Sequence, residues 1–274
     1  MILIVASLKD VASLNITKEI LSHYPFISVG EKFHGAPVYA LNMEEKEIKL
    51  VFWEDEPVYT QNIPEFFPKI ELIVFVSRHS SVSGTPTLSV HTPGNFGNAD
   101  LGGIPGKLSV SPANAMRTAL ITMKQLVGET LLDYEVSYEC THHGPSLDVP
   151  TMFVELGSSQ KQWNDLKAAE IVAHAAMDAA LKFGEQKAKA VVGIGGPHYN
   201  AKFTKIALKE ATAFSHIIPK HAIPIVDQKI LKQCIEKTFE KVDIVVLDWK
   251  GIRGEDKPSL IEKLEKLGLM YNKV

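Results

Sequence analysis

The sequence predicts an α/β fold, a mixed and mostly parallel sheet flanked by helices. Short continuous apolar runs recur along the 274 residues, segments of helical spacing lie between them, and no repeat or low-complexity tract breaks the alternation. A run apolar at every position suits a strand covered on both faces, as inside such a sheet. At 45% hydrophobic, the chain is long enough to bury a substantial core.

Strands are expected over residues 2–6, 48–53, 72–76, 152–154, 190–194 and 244–247. The clearest helix is 111–127, with Ser111 as expected N-cap, Pro112 at the first helical position, and Met116, Ala119, Leu120, Met123 and Val127 on one face. Further helices are expected over 164–183, stopping at Gly184, and over 202–214, 228–239 and 258–267. One hydrolytic α/β domain spanning 1–274 is the expected organisation, interrupted by a long functional loop at 80–106. That stretch is crowded with Ser, Thr, Gly, Pro and Asn, and compact domains rarely keep so long a connection without a use for it.

Composition narrows the setting. No apolar run approaches the roughly 20 residues that span a bilayer, and residues 1–7 lack a basic region ahead of their short apolar run. Two cysteines, Cys140 and Cys234, make neither a disulfide framework nor a Cys-x-x-Cys zinc pair, which fits a reducing cytoplasm. A formal charge of -3 leaves the partner open, because a local basic face can bind nucleic acid on an acidic protein. Nothing in the sequence calls for a membrane or an obligate protein partner.

Chemistry concentrates where histidines stand beside Gly and Pro at the ends of apolar runs. Glu139-Cys140-Thr141-His142-His143-Gly144-Pro145-Ser146 is echoed by Gly193-Ile194-Gly195-Gly196-Pro197-His198-Tyr199. His79 opens the long loop, His91 lies inside it, and Glu139 and Glu155 flank the same region. The carboxyl ends of strands in an open sheet share one rim, so these residues can converge there and offer the His and carboxylate ligands of a catalytic zinc. No His-Glu-x-x-His helix supports that by spacing. Adjacent His142 and His143 would point to opposite faces of an extended segment unless Gly144-Pro145 turns the chain, so one of them is open to a structural role. His174 reads as packed or solvated within its helix. His23, His34 and His216 have no supporting context, and His221 sits in a proline-punctuated loop.

Other designs are less well supported. A Gly-x-Ser-x-Gly elbow is absent, and Cys140 reads as buried more readily than as a nucleophile. The turn at Gly195-Gly196 can cradle a phosphate at a helix start carrying Lys202 and Lys205, or can simply be a tight turn.

Arg78-His79-Ser80, Thr141-His142-His143-Gly144-Pro145, Phe153-Val154-Glu155-Leu156-Gly157-Ser158 and the Gly193–Tyr199 motif together resemble the D-aminoacyl-tRNA deacylase family of the archaeal and plant type, over essentially the whole chain. The resemblance implies a zinc-dependent hydrolase that cleaves the ester between a D-amino acid and the terminal ribose of tRNA. It also implies a phosphorylase/hydrolase-like α/β fold. On that expectation His79, His142 and His198 hold zinc, and Glu155 and His143 act in catalysis. The amides of Gly195 and Gly196 then hold the oxyanion or a phosphate, and Arg78, Lys161, Trp163, Tyr199, Lys202 and Lys205 contact tRNA. A metal-dependent amidohydrolase or peptidase on small substrates is the alternative, as is a noncatalytic RNA- or nucleoside-binding protein.

Overall fold

The computed structural model describes residues 1–43 and 46–274. β1 (Ile2–Ser7) leads into α1 (Val11–His23), whose first turn is capped by the Asp10 carboxylate, which accepts from the amides of Ala12 and Ser13. β3 (Ala36–Met43) runs antiparallel to both β2 (Ile27–Phe33) and β4 (Lys46–Trp53), and β5 (Leu72–Ser80) lies parallel to β1. β6 (Thr87–His91), α2 (Ala113–Thr130), β7 (Glu135–Tyr138) and β8 (Thr151–Ser158) follow. Among the described residues these strands form one sheet in the order β2-β3-β4-β1-β5-β8-β6-β7.

After α3 (Gln160–Trp163) and α4 (Leu166–Leu181), the chain builds a second sheet. It alternates β9 (Lys189–Ile194), α5 (Ala201–Lys209), β10 (Thr212–Ile218), α6 (Gln228–Glu236), β11 (Ile244–Leu247), α7 (Lys257–Lys266) and β12 (Met270–Lys273). Its strands are parallel throughout, in the order β10-β9-β11-β12. The fold is therefore α/β, with mixed, mostly parallel sheets flanked by helices.

Burial explains the apolar runs. Ile2, Ile4 and Ala6 of β1 pack with Ile16 and Ile20 of α1 and with α4, whereas Leu3 and Val5 face Trp53, Phe75 and Phe153 on the other side. Alternate side chains leave opposite faces of a strand, so a strand covered twice must be apolar at every position. Each such side chain contributes about 1.5–3 kcal/mol relative to exposure. Among the described residues no helix is long and apolar enough to cross a membrane.

Several boundaries differ from expectation for identifiable reasons. Helix α2 begins at Ala113 and its cap is not Ser111, whose buried hydroxyl has no hydrogen-bond partner among the described residues. The Glu240 carboxylate, remote in sequence, accepts from the amides of Ala113 at 3.0 Å and Asn114 at 2.8 Å, and its charge suits the positive end of the helix dipole. The helix expected over 202–214 stops at Lys209, and Thr212 to Phe214 instead open β10, where β-branched and aromatic side chains pair with β9. Within the stretch 80–106, residues Thr87–His91 form a strand between β7 and β8 and only its flanks are irregular.

Candidate active site

Three neighbouring strands of the larger sheet supply the first half of the site. His79 lies near the end of β5 opposite Gly157 of β8, Glu155 of β8 lies opposite Ser77 of β5 and Ser89 of β6, and His91 ends β6 opposite Phe153. Glycine at 157 is a packing requirement, since a Cβ there would lie 2.7 Å from the Cβ and Cδ2 of His79. The amide of Arg78 donates to Asp10 at 2.6 Å and the indole N–H of Trp163 donates to the His79 carbonyl at 2.8 Å, so β5 is held at its end from both sides.

The second half arrives with the segment after β7. Glu139 forms an isolated bridge with Tyr199, and the Cys140 amide donates to the His198 carbonyl at 2.9 Å. These bonds bring the two histidine motifs alongside each other. The result is a cleft of about 520 Å³ lined by His79, His142, His143, Glu155, His198 and Tyr199, with Arg78 at the same opening.

His142 and His143 do share this cleft. His143 has a φ of 42°, a left-handed conformation that costs a non-glycine residue energy, and it reverses the facing expected of neighbours on a strand. Their ring centroids lie 4.2 Å apart. Gly144 makes the turn feasible, because a Cβ on it would come within 2.2 Å of the Gly103 nitrogen.

Two buried carboxylates organise the imidazoles. Glu139 Oε2 accepts from His198 Nε2 at 2.7 Å and lies 3.6 Å from His142 Nε2, while its Oε1 lies 3.2 Å from His79 Nδ1. Glu155 Oε1 accepts from the Ser77 hydroxyl at 2.7 Å and lies 3.7 Å from His91 Nε2; its Oε2 lies 3.4 Å from His79 Nδ1. Burial pushes both carboxyls up, but the histidines outweigh it. The bond from His198 and the charge of His79 hold Glu139 at about 2, and His79 and His91 hold Glu155 well below the usual range. Burial pulls His79 and His198 down, yet Glu155 and Glu139 leave both raised.

The other imidazoles are the opposite case. Burial and the neighbouring imidazoles hold His142 well below its ordinary value, and burial with His91 brings His143 to about 4, so both are neutral at physiological pH. The carbonyls of Cys140 and Gly144 lie 2.8 and 2.7 Å from Nδ1 of His142 and His143 respectively. A carbonyl only accepts, which assigns the proton to each Nδ1 and leaves each Nε2 a lone pair. His91 stacks on Phe153 and both of its nitrogens are buried without a hydrogen-bond partner among the described residues.

These details separate three sets of donors. One nitrogen from each of His91, His142 and His143 lies within 4.8 Å of the others, a second set joins His79, Glu139 and Glu155, and a third joins Cys140, His142 and His198. His198 is engaged otherwise, because its Nε2 meets Glu139 and its Nδ1 lies 3.2 Å from the Cys140 sulfur. Burial and the Glu139 charge push the Cys140 thiol up, which opposes thiolate formation. Of the expected ligands, His142 and His198 share a set with Cys140 and His79 falls in another, so no set holds all three, and His91, placed by sequence in a loop, joins the all-imidazole one.

The remaining expected residues scatter. Tyr199 lines the cleft with its hydroxyl bonded to His79 Nε2, and Arg78 pairs with Glu56 at 2.8 Å and lies 5.5 Å from the Trp163 ring centre. The amides of Gly195 and Gly196 donate to the carbonyls of Ile218 and Gly251, so they are already spent and do not hold an oxyanion or phosphate here. Lys202 binds the Asp248 carboxylate at 2.5 Å, Lys205 is exposed on α5, and Lys161 lines a separate groove with Asp133 and Asp165.

His216, which has no motif in the sequence, supports the site from below. It is fully buried between the Thr141 hydroxyl and the Lys237 carbonyl, and burial lowers it to about 4. Its folded value lies below 6.5, so the unfolded chain takes up the proton first as pH falls; stability is full above 6.5 and declines toward 4, by roughly 3 kcal/mol. The thermal midpoint of the protein is expected to fall over that window and His216→Asn to flatten the fall. An identical pH dependence in the variant would remove His216 as its source.

Fold and cleft together define an α/β enzyme whose site is built from imidazole and carboxylate groups. A D-aminoacyl-tRNA deacylase family profile matches residues 66–272. The chain is 39% identical over 268 residues to the D-aminoacyl-tRNA deacylase of Thermococcus onnurineus, with 96% of each chain covered. It is 34% identical over 274 residues to that of Methanosarcina acetivorans, covering 98% of this chain and 90% of the relative. A crystal structure of a conserved protein of unknown function superposes with a TM-score of 0.88 at 28% identity, covering 100% of this chain and 95% of that one. The chain belongs to the D-aminoacyl-tRNA deacylase family, and it is a hydrolase.

Proposed function

We propose that this enzyme hydrolyses the ester joining a D-amino acid to the 3′-terminal ribose of tRNA, returning mischarged tRNA to use in the cytoplasm. The observation that carries this reading is the convergence of His79, His142, His143, His198 and Glu155 at one cleft, with buried His91 and Glu139 against them, in a chain of this family.

The donors fit zinc. Two neutral imidazoles with Nε2 lone pairs set by backbone carbonyls, beside a third imidazole with both nitrogens orphaned in the interior, are the ligand chemistry zinc prefers, and His91, His142 and His143 would hold it. Bound there, zinc would lower the pKa of a water and supply positive charge for the developing oxyanion. Glu155, kept ionised by its histidines, would accept a proton from the attacking water at a carboxylate oxygen. His79, raised by both carboxylates, would donate the proton that the leaving ribose oxygen requires, with its Nε2 in contact with Tyr199 at the cleft. The remaining imidazole, His198, keeps Glu139 ionised, which favours the protonated form of His79.

Cations for the tRNA backbone are better sought beside His198 than on α5. The Lys220 amide donates to the Gly196 carbonyl at 2.9 Å and the Gly196 amide to the Gly251 carbonyl at 3.3 Å, which sets exposed Lys220, His221 and Arg253 around the Gly196-Pro197-His198 turn. Replacing Lys220 and Arg253 with Ala is expected to reduce the salt slope of tRNA affinity by about one contact per residue, with hydrolysis of a short aminoacyl ester spared. An unaltered slope would move the RNA face elsewhere.

Paired hydrolysis of the two enantiomers of one aminoacyl-tRNA tests the assignment as a whole. The D-ester is expected to be cleaved at least about 10²-fold faster, a discrimination on the scale of a few kcal/mol. Equal rates on both enantiomers, or no hydrolysis by metal-loaded enzyme, would overturn it.

A further inference from the structure

Histidines without a motif meet again on the outer side of the α1 and α4 pair. His23, in the last turn of α1, has its Nε2 3.4 Å from Glu170 Oε1 and 3.5 Å from Glu19 Oε2. His174 lies one turn beyond Glu170 on α4, with its Nε2 3.9 Å from the same Oε1. One donor atom from each of His23, Glu170 and His174 lies within 4.8 Å of the other two. The Tyr24 hydroxyl is 2.8 Å from His174 Nδ1, so it can accept the Nδ1 proton and leave the Nε2 lone pair facing Glu170 and His23.

We propose that His23, Glu170 and His174 form a second metal site, separate from the active site, which takes a zinc-class divalent cation and staples α1 to α4. Ligand atoms about 2.0–2.1 Å from a tetrahedral ion stand about 3.3–3.4 Å apart. Glu170 Oε1 stands 3.4 and 3.9 Å from the two imidazole nitrogens and the three donor atoms lie within 4.8 Å of one another, a difference that partly exposed side chains can close. Two imidazoles with one carboxylate favour zinc, nickel or copper over calcium or magnesium, which prefer all-oxygen shells. Water or Glu19 completes the coordination.

The site is remote from the chemistry. Asp10, at the start of α1, lines the active cleft, and the thirteen residues of the helix rise about 20 Å to His23 at the other end. The role is therefore structural: an ion that binds only the folded chain raises its stability by mass action.

The test uses the full chain, first loaded at its active site and then titrated with Zn²⁺ while heat of binding and thermal midpoint are followed. The wild-type protein is expected to bind one more Zn²⁺ equivalent than the His23→Ala, His174→Ala double variant. Its midpoint should rise by about 5 °C at a hundredfold excess over Kd, with no such rise in the variant. Glu170→Gln, which keeps the shape and removes the charge, should weaken this equivalent at least tenfold. Hydrolysis of D-aminoacyl-tRNA by these variants should match wild type, which separates failure of this site from failure of the active-site reading. Equal equivalents and equal midpoint shifts in wild type and double variant would overturn the proposal.

Discussion

Treatment with a chelator is expected to abolish hydrolysis of D-aminoacyl-tRNA, and added zinc to restore it. The argument rests on His91. A buried polar group without a partner costs about 1–3 kcal/mol, and His91 has two such nitrogens beside the free Nε2 atoms of His142 and His143. A metal relieves that cost, so stripping should lower the thermal midpoint as well as the rate. His142 and His143 are already neutral well below pH 6.5, so zinc retention should persist into mildly acidic buffer, where ordinary histidine sites release metal. Replacing His91 with Ala should lower activity by about 10²-fold or more and weaken zinc binding. Full turnover by enzyme shown to be free of metal would remove zinc from the reaction.

The second large effect is expected from Glu155→Gln. The amide retains the shape and can still meet the Ser77 hydroxyl, but it cannot accept a proton from water and no longer charges His79. A fall in kcat of about 10²–10⁴-fold is expected with little change in KM, the range for losing general-base assistance. A carboxylate favours the protonated form of a nearby imidazole, so its removal lowers the His79 pKa and shifts the corresponding alkaline limb of the residual pH profile to lower pH. Loss of activity without that shift would make Glu155 a ligand or a packing group rather than the proton acceptor paired with His79. Wild-type kcat would exclude it from the chemistry altogether.

Much of the fold is legible in the amino-acid sequence. Apolar runs at 2–6, 72–76 and 190–194 lie in strands because each is covered on both faces, a local pattern that needs no partner to be read. α1 and the β2–β3 hairpin carry a weaker signal. β2 is exposed along most of its length and has no continuous apolar run, and α1 mixes Ser, Asn and Thr into its buried face. Thr87–His91 is hidden by the turn-forming residues on either side, although Leu88 and Val90 alternate with Thr87, Ser89 and His91 as strand residues do.

By itself the sequence determined the α/β class, the family, and the residue types of the site, since His beside Gly and Pro at strand ends is a local arrangement. Which imidazoles share a ligand set was decided only by tertiary structure. Parallel and antiparallel register placed His91 next to Glu155, the left-handed backbone at His143 brought it round to His142, and the bond between Cys140 and His198 joined segments 58 residues apart. The same holds for Gly195, Gly196 and Lys202, whose donors look available in sequence but are satisfied by Ile218, Gly251 and Asp248. Hydrogen-bond satisfaction and register depend on what long-range pairing brings near, and no local pattern encodes that partner.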